Sequence, residues 1–259
     1  MSFVGNLEVL KNEVINEEVF ALTLEAHEAD IKAGQFYNFK TSDIVYPLLR
    51  RPISVALVED GKIIFYIQKK GTGTQLLSNL KAGDEVNVIG PLGNGFDFTG
   101  IKKPLVVGGG IGVAPMMEAA RQLKESGHEA VKVLLGYREE PYGIDVFEKI
   151  TSDIAIASER AEGYHKGYVT ALLEEVLDAA VYDGVFVCGP HVMLKAVAAI
   201  CKAKGVKSHL LMEEKMACGI GACLVCTCKI QKEGESDFKN LRTCKEGPVF
   251  PGEEVLFDE

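Results

Sequence analysis

The chain has 259 residues, 47% of them hydrophobic, and a formal net charge of -9. That length suits two domains and supplies enough apolar side chains to fill their cores. The acidic balance argues against nucleic acid or an anionic membrane as the main partner, and no apolar run is long enough to span a bilayer.

The first ten residues carry Glu8 and lack a basic segment followed by an apolar core, so no secretion signal is expected. Seven cysteines in such a chain read as thiols of a reducing, cytoplasmic compartment. From about residue 6 to residue 100 the pattern is one of short strands, expected over 18–24, 35–40, 53–58, 63–68 and 85–89. Turn residues recur between them at Gly34, Asp60-Gly61 and Gly83-Asp84, the even spacing of a small antiparallel β barrel, with Asp60-Gly61 as a hairpin turn. The character changes at Pro104. Leu105-Val106-Val107 is a continuous apolar strand of the kind buried in a parallel sheet, and the run from Met116 reads as a helix to residue 125. Strands expected over 131–135, 154–157 and 185–187 alternate with helical stretches within 168–179 and 191–204, the signature of a Rossmann-like α/β domain. Beyond about residue 211 the rhythm stops, leaving a loop-rich tail with a short strand candidate at Val255-Leu256-Phe257. The expected division is 1–100, 101–210 and 211–259.

Five stretches carry chemistry. In Arg51-Pro52-Ile53-Ser54 a rigid proline holds the backbone extended, so that a guanidinium and a hydroxyl converge on one anionic group; an exposed Arg beside a strand Ser is the plainer alternative. Lys69-Lys70-Gly71-Thr72-Gly73-Thr74 places glycines and hydroxyls ahead of a helix expected over 75–80, which suits a phosphate or an ordinary helix cap. Gly108-Gly109-Gly110-Ile111-Gly112-Val113-Ala114-Pro115 lies between a buried strand and a helix, where a glycine loop holds a pyrophosphate. It departs from G-x-G-x-x-G at Pro115, which sits comfortably in the first turn of the helix. Cys188-Gly189-Pro190 follows a strand at another carboxyl edge of the sheet, where a cysteine either packs or meets a ligand.

The fifth stretch is the strongest. Cys218, Cys223 and Cys226 form a C-x4-C-x2-C run, with Cys244 beyond a polar segment. That spacing is the plant-type [2Fe–2S] arrangement; structural zinc sites usually present two short Cys pairs. Gly219 and Gly221 let the loop turn tightly and aim N–H groups at sulfur. Cys228 competes with Cys244 as the fourth ligand but fits the order less well, and Cys201 falls on the apolar stripe of a helix. No Ser/His/Asp set or carboxylate pair stands out, so hydrolysis has no support.

The barrel with Arg51-Pro52-Ile53-Ser54, the glycine loop, Tyr137-Arg138 after a strand and Cys188-Gly189-Pro190 together resemble the ferredoxin–NADP reductase superfamily, over residues 1 to about 210. Met216-Ala217-Cys218-Gly219-Ile220-Gly221-Ala222-Cys223, with Cys244 and Gly247-Pro248-Val249-Phe250, is similar to the electron transfer subunits of type B dihydroorotate dehydrogenases, across essentially the whole chain. The resemblance implies FAD on Arg51, Pro52, Ile53, Ser54, Tyr66, Ile67, Gln68, Gly73 and Thr74, with Gln68 standing where an Arg is often seen. It implies a nicotinamide nucleotide on Gly109, Gly110, Gly112, Pro115, Cys188, Gly189 and Pro190, and a [2Fe–2S] cluster on Cys218, Cys223, Cys226 and Cys244. The implied partner is an FMN-containing catalytic subunit holding the dihydroorotate site, in a heterotetramer serving pyrimidine biosynthesis. The implied role is to carry electrons from that FMN through cluster and FAD to NAD+, with no catalytic acid or base in this chain.

Two alternatives stand beside it: the same module serving a sulfide dehydrogenase, sulfite reductase or hydrogenase, and a non-enzymatic module with structural zinc. NAD is expected over NADP because Glu139, Glu140 and Glu159 would put carboxylates near a candidate ribose site, although Arg160 opposes this. Apolar Ile220, Leu224 and Val225 beside the cysteines are expected at the partner interface.

Overall fold

A computed structural model describes residues 2–27, 30–42, 46–128, 130–232 and 234–257. The first half is one antiparallel sheet of β1 (Phe3–Val14), β2 (Val19–Glu25), β3 (Phe36–Phe39), β4 (Arg51–Ser54), β5 (Leu57–Glu59), β6 (Lys62–Gln68) and, after helix α1 (Thr72–Ser78), β7 (Glu85–Leu92). The order is β4-β3-β7-β1-β2-β6-β5. The two edge strands are consecutive in the chain: Val55 N–H bonds to the Gln35 carbonyl on one side and Ala56 N–H to the Ile64 carbonyl on the other. That crossing curls the sheet into the expected barrel, and it splits in two the single strand expected over 53–58. Asp60 and Gly61 both take positive φ, as a two-residue hairpin turn between β5 and β6 requires.

Strand β3 decides what lies next to the barrel. Successive side chains point to opposite faces. Tyr37 and Phe39 fill the barrel with Phe65, while Phe36 joins a separate cluster with Leu92, Cys226 and Cys244. All four residues of β3 are buried, so the strand is covered on both faces. The long β1 was absent from the sequence expectations; its only hydrophobic signal is the spacing of Leu7 and Val9, the two side chains it buries.

The second half is built on β8 (Pro104–Gly109), α2 (Val113–Glu125), β9 (Lys132–Tyr137), α3 (Ile144–Glu148), β10 (Ile154–Ser158), β11 (His165–Lys166), α4 (Val169–Ala179), β12 (Gly184–Cys188), α5 (His191–Lys204) and β13 (Ser208–Leu211). The sheet runs β11-β10-β9-β8-β12-β13, all parallel. Val106, Val133 and Leu135 pack toward α2; Leu105, Val107 and Leu134 pack toward α4 and α5. The chain moves outward from β8 in one direction, then returns to lay β12 on its other side, so the switch point of the doubly wound sheet falls between β8 and β12.

Helix α2 also fastens the two halves. The buried Glu118 carboxylate accepts the Val58 N–H at 3.0 Å and bonds Arg121 and Gln122, while Gln122 accepts from Ala33 N–H and donates to the Ile31 carbonyl. Losing Glu118 would strand buried donors at a cost of about 1–3 kcal/mol.

The tail is more ordered than the loop expected there. Strands β14 (Thr227–Ile230), β15 (Lys239–Arg242) and β17 (Val255–Leu256) form a small sheet, and β16 (Val249–Pro251) joins the parallel sheet antiparallel to β13. Residues after 211 are therefore hydrogen-bonded back to the second half.

Candidate functional site

A cleft of about 710 Å³ opens where barrel, parallel sheet and tail meet. The barrel contributes Arg51, Pro52, Ile53, Ser54, Tyr66, Ile67, Gln68 and Thr74; the switch point contributes Gly109, Gly110, Gly112, Pro115, Cys188, Gly189 and Pro190. Every cleft residue expected from the sequence lines it except Gly73, which is buried beneath Arg51: a Cβ at Gly73 would meet Arg51 Nε at 2.5 Å. The absence of that side chain lets the guanidinium lie across the turn. Thr74 Oγ1 accepts the N–H groups of Lys70 and Gly71 at 3.0 and 3.2 Å, which shapes the turn at the start of α1. Gln68 donates to Glu18 at 3.0 Å, so this side chain is held by the barrel itself.

The two loops at the switch point touch backbone to backbone. A Cβ on Gly112 would meet the Cys188 carbonyl at 2.6 Å, and one on Gly109 would strike Met193. Gly110 has φ +56 with open space beside it, and its carbonyl accepts the Tyr142 hydroxyl at 3.1 Å. Glycine here brings bare N–H groups to the wall of a cleft, the requirement for holding a pyrophosphate. Burial, with help from the Glu213 carboxylate, pushes the Cys188 thiol up, so it stays neutral. Sequence reasoning missed Phe36, residues 211–214, Met216, Thr243 and Pro248 in the same wall. Their signal lies in connectivity: the chain must pass from β13 to Cys218 beside the barrel.

The four cysteines gather as two pairs. Cys223 N–H points at Cys218 Sγ at 3.4 Å, and these two sit at the surface, with Cys223 exposed. Burial pushes the Cys218 thiol up, but the Ile220 N–H, the Cys223 thiol and the N–H groups of Cys223 and Ala222 outweigh it and bring it down to about 6. Positive φ at Gly219, Gly221 and Leu224 turns those amides inward. Cys226 and Cys244 are buried against Phe36 and Leu92; burial first, and the bond to Cys226 second, push Cys244 up to about 12. Among the described residues no three His, Cys, Asp or Glu side chains converge on one point as ligands of a single metal ion. Two pairs of thiols suit a two-iron centre, in which each iron takes two thiolates. Cys228 bonds the Leu241 carbonyl and packs with Ile230 and Val255, in a different cluster from Cys226 and Cys244, and Cys201 is fully buried in α5.

The loop is braced from both sides. Asn38, on the outer face of β3 and opposite Pro52 of β4, reaches the Cys218 carbonyl at 3.5 Å. Arg242 donates to the Gly221 carbonyl at 2.6 Å and pairs with Glu246, whose carboxyl that guanidinium holds down at about 2.

Residues 213–256 match the model of the iron–sulfur cluster binding domain of dihydroorotate dehydrogenase B. The chain is 41% identical over 252 residues to the dihydroorotate dehydrogenase B (NAD(+)) electron transfer subunit of Clostridium perfringens, covering 96% of this chain and 97% of that one. It is also 41% identical to the subunit of the same name from Clostridium acetobutylicum, covering 97% of each. The chain belongs to the electron transfer subunits of dihydroorotate dehydrogenase B. Among solved structures, the NADH-dependent reduced ferredoxin–NADP oxidoreductase described for flavin-based electron bifurcation superposes with a TM-score of 0.84 at 28% identity, over 96% of this chain and 89% of that one. As an electron transfer subunit of this family, the protein is an oxidoreductase component that serves a catalytic subunit. Its fold is that of a flavin reductase carrying an iron–sulfur domain, with FAD, a [2Fe–2S] cluster and NAD as cofactors. No helix among the described residues is long and apolar enough to cross a membrane.

Proposed function

We propose that this subunit passes electrons from the FMN of a dihydroorotate-oxidising partner, through the cluster and FAD, to NAD+, in a cytoplasmic heterotetramer. The observation that carries it is the single cleft in which the barrel motif and the switch-point loops face each other, with both buried cysteines behind its wall. We keep the division of the chain at 1–100, 101–210 and 211–259.

Arg51, Ser54 and the Gly73-Thr74 turn hold the FAD diphosphate, with Arg51 supplying the charge, Ser54 a hydroxyl and the Thr74-shaped turn the N–H groups. Pro52, Ile53, Tyr66, Ile67 and Gln68 form the rest of the FAD wall. Gly109, Gly110, Gly112 and Pro115, with Cys188, Gly189 and Pro190, seat the nicotinamide nucleotide, and the bare backbone between them brings its ring toward the flavin. Cys218 with Cys223 and Cys226 with Cys244 ligate the two irons. NAD+ takes a hydride while the cluster takes one electron at a time, and FAD supplies the conversion between the two. The residues of this chain bind, orient and exclude water.

Arg160, the one cation that spoke for NADP, is paired with Glu139 at the carboxyl edge of β9 and β10. A 2'-phosphate would have to break that pair, which favours NAD+. Seven thiols without a disulfide suit a reducing compartment. The test is turnover: the chain with its partner should reduce NAD+ with dihydroorotate, while the chain alone should reduce dyes with NADH and leave dihydroorotate untouched. Dihydroorotate oxidation by the chain alone would refute the assignment.

A further inference from the structure

Four buried side-chain polar atoms have no hydrogen-bond partner among the described residues, and one of them is the Thr243 hydroxyl. The residue is 1% exposed, borders the cleft, and immediately precedes Cys244. Its own N–H is bonded to the Cys226 carbonyl at 2.8 Å, so the backbone fixes it between the two buried cysteines. Neither sulfur accepts from its hydroxyl. A buried hydroxyl left unpaired costs stability, and valine would fill the same space without that cost. Because Thr243 lines the cleft, a ligand bound there can supply that partner. Phe36 marks the same boundary from the barrel side, because it lines the cleft and packs against Cys226 and Cys244.

We propose that Thr243 is a positioning residue for the flavin: its hydroxyl hydrogen-bonds to the FAD ring system, and through the adjacent Cys244 it fixes that ring against the Cys226–Cys244 side of the cluster. This rests on the assignment of FAD to the cleft. The test uses the full chain, loaded with cluster under anaerobic conditions and titrated with FAD. Thr243→Val should weaken FAD binding about fivefold, the equivalent of one hydrogen bond, and shift the flavin absorption band and midpoint potential. Thr243→Ser should restore all three, and the EPR spectrum of the reduced cluster should be unchanged in both. If the valine variant fails to load iron, Thr243→Ala repeats the comparison with a smaller side chain. Wild-type affinity and an unshifted flavin band in the variant that lacks the hydroxyl would overturn the proposal. An altered cluster spectrum with an unaltered flavin would also overturn it, by giving the hydroxyl to sulfur. Failure of the wild-type chain itself to take up FAD would instead sink the cleft assignment.

Discussion

The two cysteine pairs differ in almost everything except their sulfur atoms. Cys226 and Cys244 are sealed between the barrel strand β3 and the tail, and burial makes the Cys244 thiol hard to ionise. Cys218 and Cys223 lie on a surface loop whose inward amides make the Cys218 thiol easy to ionise. One pair is held by packing, the other by backbone N–H groups. The inner pair abuts the wall of the cleft, and the outer pair is rimmed by exposed Ile220, Leu224 and Val225. A cluster held by both pairs would have one end toward the cleft and the other toward that exposed apolar rim.

Breaking the inner pair should cost most. Cys244→Ser should abolish iron binding and destabilise the tail by ~2–4 kcal/mol, read from iron content and a lowered Tm, because the metal supplies folding free energy. Cys223→Ser should keep more iron than Cys244→Ser, since the exposed loop can adjust to an oxygen ligand; equal iron loss would erase the distinction between the pairs.

Gly219→Ala attacks the outer loop through its backbone. At φ +73 a side chain costs about 1–2 kcal/mol, and its Cβ would strike the Asn38 amide. Slower cluster assembly and faster oxygen bleaching are expected, with FAD binding untouched. Leu224→Asp, which introduces a residue more tolerant of positive φ, should weaken association with the catalytic subunit about tenfold, or ~1.4 kcal/mol. NADH-dependent dye reduction by the free chain should not change. The smallest effect belongs to Cys228→Ala, expected to cost ~1 kcal/mol of stability with full iron content. Iron loss there would make Cys228 a ligand and break the pairing.

Much of this was legible in the sequence because the signals are local. A Pro after Arg51, glycines between a buried strand and a helix, and cysteines at x4 and x2 each constrain their own neighbourhood, and the doubly wound alternation follows from runs of apolar residues. What was not legible depends on contacts between distant segments. Strand β1 buries only Leu7 and Val9, so its hydrophobic pattern is thin. The chain at Val55 and Ala56 changes sheet edge because of bonds to Gln35 and Ile64, which no local pattern encodes. Cys228 turns into the core with Ile230 and Val255, while Cys244 packs with Cys226, a difference that no local pattern encodes. Thr243 looked ordinary until its surroundings showed a hydroxyl with nothing to bond.

The most direct test of a two-iron centre coupled to a flavin in one chain is EPR spectroscopy of the anaerobically reconstituted protein after addition of NADH. The account predicts a signal from a reduced [2Fe–2S] cluster, appearing only when FAD is bound. A chain that holds zinc in place of iron, or one whose cluster is reduced by NADH without any flavin, would contradict it.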